Sequence, residues 1–156
     1  MMNLQRRRRG FSLIELLIVI AIILIIITIA LPKFSSAQRY AKETSALGAI
    51  RTIHTAQVQY YSQYGKYAAS LTELGPPTSG ADGPAAGNLI DSTLAGGEKG
   101  GYKFTLSGNA GGYVISAVPV AFGVSGSRTF YSDQSMVLRQ NFGQEPATAN
   151  SPEMKN

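Results

Sequence analysis

Four consecutive arginines, Arg6 to Arg9, end at Gly10, and the chain beyond them is apolar for the thickness of a membrane. From Phe11 to Leu31 only Ser12, Glu15 and Thr28 interrupt the apolar side chains. A helix of about 21 residues, rising ~1.5 Å each, reaches ~31 Å and matches a hydrocarbon core of ~30 Å. A basic cluster ahead of such a run holds the preceding end on the cytoplasmic side. A secretory signal would have a shorter apolar part and a small-residue cleavage site after it. Here Pro32-Lys33-Phe34 follows instead, so the run reads as a spanning helix.

Glu15 is the residue in that run that demands a reason. A carboxylate in an apolar helix costs about 2.5–3.5 kcal/mol on insertion scales and marks function by default. It lies only four residues from Phe11, so it can snorkel to the interface. Otherwise it needs a cation, and no Lys, Arg or His lies between Phe11 and Pro32. The cation would then come from outside the span. A cut after Gly10 would create one, the α-amine of Phe11.

The run Arg-Gly-Phe-Ser-Leu-Ile-Glu-Leu-Leu-Ile-Val-Ile-Ala-Ile-Ile, residues 9–23, resembles the N-terminal signature of the type IV pilins and the related pseudopilins. The resemblance covers about residues 6–32. It implies that a prepilin peptidase cuts after Gly10 and that Phe11, the first mature residue, is N-methylated. It also places Glu15 at the fifth mature position, where the family uses a glutamate in subunit packing. Pro32, at the end of the apolar run, removes a backbone donor and clashes with the preceding turn, so a helix kink is expected there. The resemblance matches it to a family proline that accompanies an unwound stretch in assembled filaments.

The rest of the composition fits a structural reading. The formal net charge of +5 arises mostly in residues 1–10, which hold four of the 14 basic residues and no acidic one. Beyond them, 10 basic residues face nine acidic ones, and no argument for nucleic-acid binding survives. There is no cysteine, hence no disulfide, thiol nucleophile or cysteine metal site. Many type IV pilins close the C-terminal region with a disulfide. This chain must hold that region by sheet pairing and packing.

Residues 11–64 read as one long helix. After Pro32 the pattern becomes amphipathic, with Ala37, Ala41, Leu47, Ile50, Ile53, Val58, Tyr61 and Tyr64 as the apolar stripe. Lys33, Gln38, Arg39, Lys42, Glu43, Arg51 and Gln59 are expected on the opposite face. Such a stripe needs a sheet to cover it. Gly65 suits the helix stop. Tyr60, Tyr61, Tyr64 and Tyr67 read as packing residues where the helix ends, with hydroxyls reaching water. His54, the only histidine, reads as a surface or packing residue rather than a ligand.

Glycines and prolines punctuate residues 68–101, which read mostly as loop, with a single helical turn expected at 71–75 and a short element of unspecified type around 88–94. Gly96-Gly97-Glu98-Lys99-Gly100-Gly101 lacks the Gly-Lys-Ser/Thr end of a phosphate loop and reads as a flexible connector. Alternation predicts strands at 102–107 and 112–119 around Gly108-Asn109-Ala110-Gly111, and at 127–132 and 136–141 around 133–135. Tyr102, Phe104 and Leu106 share one face. Phe130 and Val137 are candidates for facing inward.

The expected fold is therefore α+β, a long N-terminal helix packed against an antiparallel sheet of about four strands, as in pilins. The expected segments are a cleaved leader (1–10), a transmembrane or filament-core helix (11–32), an amphipathic helix (33–65), a connecting loop (66–101), the head sheet (102–142) and a polar tail (143–156). Scattered carboxylates and a single histidine offer no catalytic residue and no metal site, and no cofactor is implied. The resemblance implies a structural subunit that polymerises with copies of itself into a helical filament. Its partners would be the prepilin peptidase, the inner-membrane pilus assembly machinery and the inner membrane before assembly, with an extracellular pilus as destination. A pseudopilin of a type II secretion system, a minor pilin and a membrane-anchored ligand-binding protein are the other readings. The missing tryptophan and acidic C-terminal run speak against the major pseudopilin.

Overall fold

The computed structural model describes residues 10–155. It comprises helix α1 (Leu13–Tyr64), two single-turn helices α2 (Leu71–Leu74) and α3 (Ser92–Ala95), and strands β1 (Glu98–Lys99), β2 (Tyr102–Asn109), β3 (Gly112–Pro119), β4 (Thr129–Asp133) and β5 (Arg139–Asn141). The expected α+β class is what forms. Two compact units divide at Ser36 and Ala37.

The first unit is the apolar part of α1. No side chain from Phe11 to Leu31 is buried. Its few polar groups bond to their own helix: the Thr28 hydroxyl donates to the Ile25 carbonyl at 2.7 Å, and the Ser35 hydroxyl to the Leu31 carbonyl at 3.2 Å. Pro32 lies inside the helix, with helical residues on both sides. It has no N–H, so the Thr28 carbonyl one turn back loses its helical donor.

The second unit is a five-stranded antiparallel meander in the order β1-β2-β3-β4-β5, packed on the later part of α1. Alternation along the strands aims Tyr102, Phe104 and Leu106 of β2, Tyr113, Ile115 and Ala117 of β3, and Phe130 of β4 into one core. The helix meets them with Ala46, Ala49, Ile50, Ile53, Ala56 and Tyr60. The three alanines have no bulk to hold the sheet away.

This buried face is rotated from the expected stripe. Ile50 and Ile53 are buried, and Leu47 and Tyr64 pack against the core. Ala37, Ala41, Val58 and Tyr61 are exposed. Glu43, expected among the solvent-facing polar residues, is only 4% exposed. Its carboxylate accepts from the Ser127 N–H (2.8 Å), the Ser127 hydroxyl (2.9 Å) and Arg128 Nε (2.8 Å). Arg128 Nη2 closes the ion pair at 2.6 Å. Burial pushes the Glu43 carboxyl upward, but the bonds from Ser127 and Arg128 outweigh it and leave the pKa below the usual value.

His54 is also buried. The Ser132 hydroxyl gives its proton to the Val137 carbonyl (3.0 Å), so it accepts from His54 Nε2 (2.8 Å). Nδ1 is then the acceptor for the Tyr113 hydroxyl at 2.6 Å. The imidazole is thereby held neutral and in one tautomer. Burial lowers its pKa, with Asp133 opposing weakly. One edge of the ring lines an open groove of about 670 Å³, walled by Arg51 and Val58 on α1 and by Met136, Leu138 and Met154.

Residues 65–101 are more ordered than a connector. Gly65, at φ 69°, ends α1 and donates to the Tyr61 carbonyl at 2.8 Å. Tyr60 is fully buried and its hydroxyl donates to the Pro84 carbonyl, which pins the segment to the helix instead of reaching water. Leu71, Leu74, Ile90 and Leu94 join the core. The glycine-rich stretch expected to be flexible is a hairpin: Lys99 pairs with Tyr102 and Glu98 with Lys103. The connecting residues Gly100 and Gly101 have φ of 62° and 82°, the conformation a two-residue hairpin turn requires. The sheet therefore gains a fifth, two-residue edge strand before residue 102.

The last two strands are shifted and shortened, 129–133 and 139–141 rather than 127–132 and 136–141. Phe130 points inward as expected, whereas Val137 is half-buried outside a strand. The 143–155 segment turns back along β5. The Gln140 N–H donates to the Pro152 carbonyl (3.0 Å) and the Met154 N–H to the Leu138 carbonyl (2.8 Å). Arg139 pairs with Glu153 at 2.9 Å, and Ala147 is buried. These contacts close the C-terminal region without a disulfide.

Two predictions follow from the buried polar groups. Glu43→Ala leaves the mostly buried Arg128 without its carboxylate and lowers head stability by about 3 kcal/mol. Urea unfolding of the detergent-solubilised chain, followed by tyrosine fluorescence, will show the lower midpoint; Glu43→Leu with Arg128→Met recovers most of it. Because the folded pKa of His54 is depressed, the unfolded chain takes up its proton first on acidification. Its contribution is complete above the ordinary value of 6.5 and is lost as pH falls below it toward the folded pKa. In the His54→Gln chain the stability–pH curve flattens across that window.

Candidate functional site

The N-terminal end of α1 gathers the residues singled out by the sequence. Arg6 to Arg9 lie outside the described residues, whereas Gly10, Phe11 and Glu15 lie within them. Gly10 precedes the helix and is exposed. A Cβ built on it meets nothing within 4 Å among the described residues. Packing among the described residues therefore gives no reason for glycine at this position. Phe11 is 86% exposed and precedes the first helical residue by two positions.

Ser12 is the N-cap and Glu15 the third helical residue. The Glu15 carboxylate turns back and accepts the Ser12 N–H at 2.8 Å, and the Leu16 N–H donates to the Ser12 carbonyl at 3.2 Å. This is one arm of a capping box. A carboxylate in the first turn also lies at the positive end of the helix dipole. Glu15 thus has a donor within its own chain, a role the sequence reading missed although Ser-x-x-Glu was there to signal it. The bond draws the carboxylate toward the Phe11–Ser12 peptide. A cut after Gly10 would place an ammonium one residue away from that N–H.

The site has one carboxylate, and its hydroxyl-bearing residue, Ser12, serves as the helix cap. What it presents is a short exposed peptide, a capped helix start and an apolar surface that no described residue covers. Pro32 lies about four helical turns before Ala46, the first core-packing residue of α1, and takes no part in this cluster.

Comparison with known proteins points the same way. Residues 5–31 match the family described as the prokaryotic N-terminal methylation motif. The type IV major pilin protein PilA of Myxococcus xanthus is 41% identical over 69 residues, 44% of this chain and 31% of that protein. The fimbrial protein of Neisseria meningitidis is 35% identical over 72 residues, 46% of this chain and 42% of its own length. The type IV major pilin protein PilE1 of Neisseria gonorrhoeae is 35% identical over 74 residues, 46% and 45% respectively. The chain thus matches less than half the length of these relatives. It carries the N-terminal methylation motif at residues 5–31 and is similar to type IV major pilins over 69 to 74 residues.

Proposed function

We propose that the chain is a structural subunit of a type IV pilus. It is cut by a prepilin peptidase after Gly10, N-methylated at Phe11, and held in the inner membrane by residues 11–32 until the assembly machinery inserts it into a filament. The observation that carries this reading is an apolar helix that buries nothing among the described residues and begins, in the register of the methylation motif, with a glutamate that accepts the N–H of its own N-cap. Lipid satisfies such a surface before assembly, and neighbouring helices satisfy it afterwards. The finished filament lies outside the cell.

Assembly gives Glu15 its second role. In a dry helix core an unpaired carboxylate is expensive, and so is an unpaired terminal ammonium. Pairing Glu15 with the Phe11 amine of an adjacent copy offsets both penalties. A subunit seated in the wrong register leaves both charges buried, so the pair favours one stagger. Pro32 is the place where the helix yields to fit this packing, since the Thr28 carbonyl is already without its donor.

Replacing Glu15 by Ala tests the reading. Cleavage is expected to proceed, while the sheared filament yield falls by at least about tenfold, since breaking a buried pair costs about 3–5 kcal/mol. A normal yield would count against the pairing. Gly10→Val is expected to leave the uncut chain in the membrane fraction with an unchanged urea midpoint for the head, because the added side chain meets no neighbour among the described residues. Cleavage of that variant at the wild-type rate would contradict the assignment of Gly10.

A further inference from the structure

The segment joining β3 to β4 exposes five consecutive residues, Val120-Ala121-Phe122-Gly123-Val124. Val120 is 55%, Phe122 39% and Val124 67% exposed. Single apolar side chains on a surface are ordinary, but a contiguous apolar protrusion marks a contact. This one is built to hold its shape. The Gly123 N–H donates to the Gly126 carbonyl at 2.7 Å, and the Val124 and Ser125 N–H groups donate to the Ala121 carbonyl at 3.1 and 2.8 Å. Arg39 Nη1 donates to the Gly123 carbonyl at 3.2 Å. At its base Ser127 is bonded twice to the buried Glu43.

The surroundings of the protrusion are cationic. Arg39 reaches it directly, and the Lys42 stem lies beside Gly101 and Ser125. Glu43 is the only acidic residue in 33–45 and 119–128, and Arg128 neutralises it. Tyr40, next to Arg39 in sequence, is 67% exposed. Arg39 follows Leu31, the end of the apolar run, by eight residues in the chain. Exposed Phe and Val flanked by one Arg and one Lys, with a Tyr next to that Arg in sequence, have the chemistry of a bilayer headgroup layer. A second copy fits worse, because joining two such patches brings like charges together.

We propose that residues 120–124, with Arg39, Tyr40 and Lys42, form a docking surface for an anionic bilayer, used while the chain is membrane-anchored. The proposal rests on the reading of residues 11–32 as the anchor. Each cation near an anionic surface strengthens docking about fivefold, and salt screens that attraction.

The chain has no tryptophan, so a single reporter can be read alone. The full chain carrying Phe122→Trp is reconstituted in vesicles of phosphatidylglycerol and phosphatidylcholine with brominated acyl chains. The expected result is a blue-shifted, strongly quenched emission. It should revert toward the water value in phosphatidylcholine alone or at high salt, and Lys42→Gln should weaken it about fivefold. A parallel chain with Ile25→Trp reports the anchor. Quenching of the Ile25→Trp reporter with none at Phe122→Trp overturns the docking surface and leaves the anchor reading standing. Loss of quenching at both overturns the anchor reading as well. A Phe122→Trp shift that follows protein density and ignores lipid charge assigns the patch to a second copy and overturns the proposal.

Discussion

A helix that is apolar on every side cannot be satisfied by water, and none of its side chains from Phe11 to Leu31 is buried among the described residues. Burying one Leu or Ile is worth roughly 1.5–3 kcal/mol, so the uncovered run represents a driving force far larger than the stability of an ordinary domain. That surface must always be in contact with lipid or with other helices. The rest of the N-terminal design follows from this constraint. Hydroxyls at Thr28 and Ser35 fold back on their own helix, and the one carboxylate is capped at the first turn, where the dipole and the Ser12 N–H favour it.

The second unit solves a different problem, which is to hold a small sheet on one helix without a cross-link. Small residues at 46, 49 and 56 let the helix lie close to the sheet, and Tyr102, Phe104, Ile115 and Phe130 fill the space between. Two buried polar clusters then join parts of the chain distant in sequence. Glu43 ties α1 to residues 127 and 128, and His54 ties it to β3 and β4. Both depend on protonation state in the same direction, so acid loosens the head from the helix side. The C-terminal residues, in a chain without cysteine, are paired back along β5.

Much of this was legible in the residues because it depends on local signals. The long helix, its stop at Gly65, the 102–119 hairpin and the inward face of β2 follow from period, turn chemistry and alternation. The methylation motif was legible because charge, glycine, phenylalanine and glutamate fall in one register, and the match over residues 5–31 bears that out. What escaped depends on partners far away in sequence. Glu43 looks like a surface residue until Arg128 is brought to it, and hydrophobicity alone assigned Val58 and Tyr61 to the stripe where alanines and Gln57 pack. The 96–101 glycines look flexible, yet positive φ at two of them makes a tight turn. The return of the tail along β5 has no local signature, because backbone groups make most of its bonds.

The central claim is that the apolar helix leaves lipid for a filament after the chain has been cut at Gly10. Intact mass and N-terminal sequencing of material sheared from the cell surface test it most directly. The account predicts a chain that begins at N-methylated Phe11 and is recovered in high-molecular-weight fibres. A chain that keeps Arg6 to Arg9 and is confined to membranes would contradict it. Glu15 would then lose the ammonium it is proposed to meet, and the helix would be a permanent anchor.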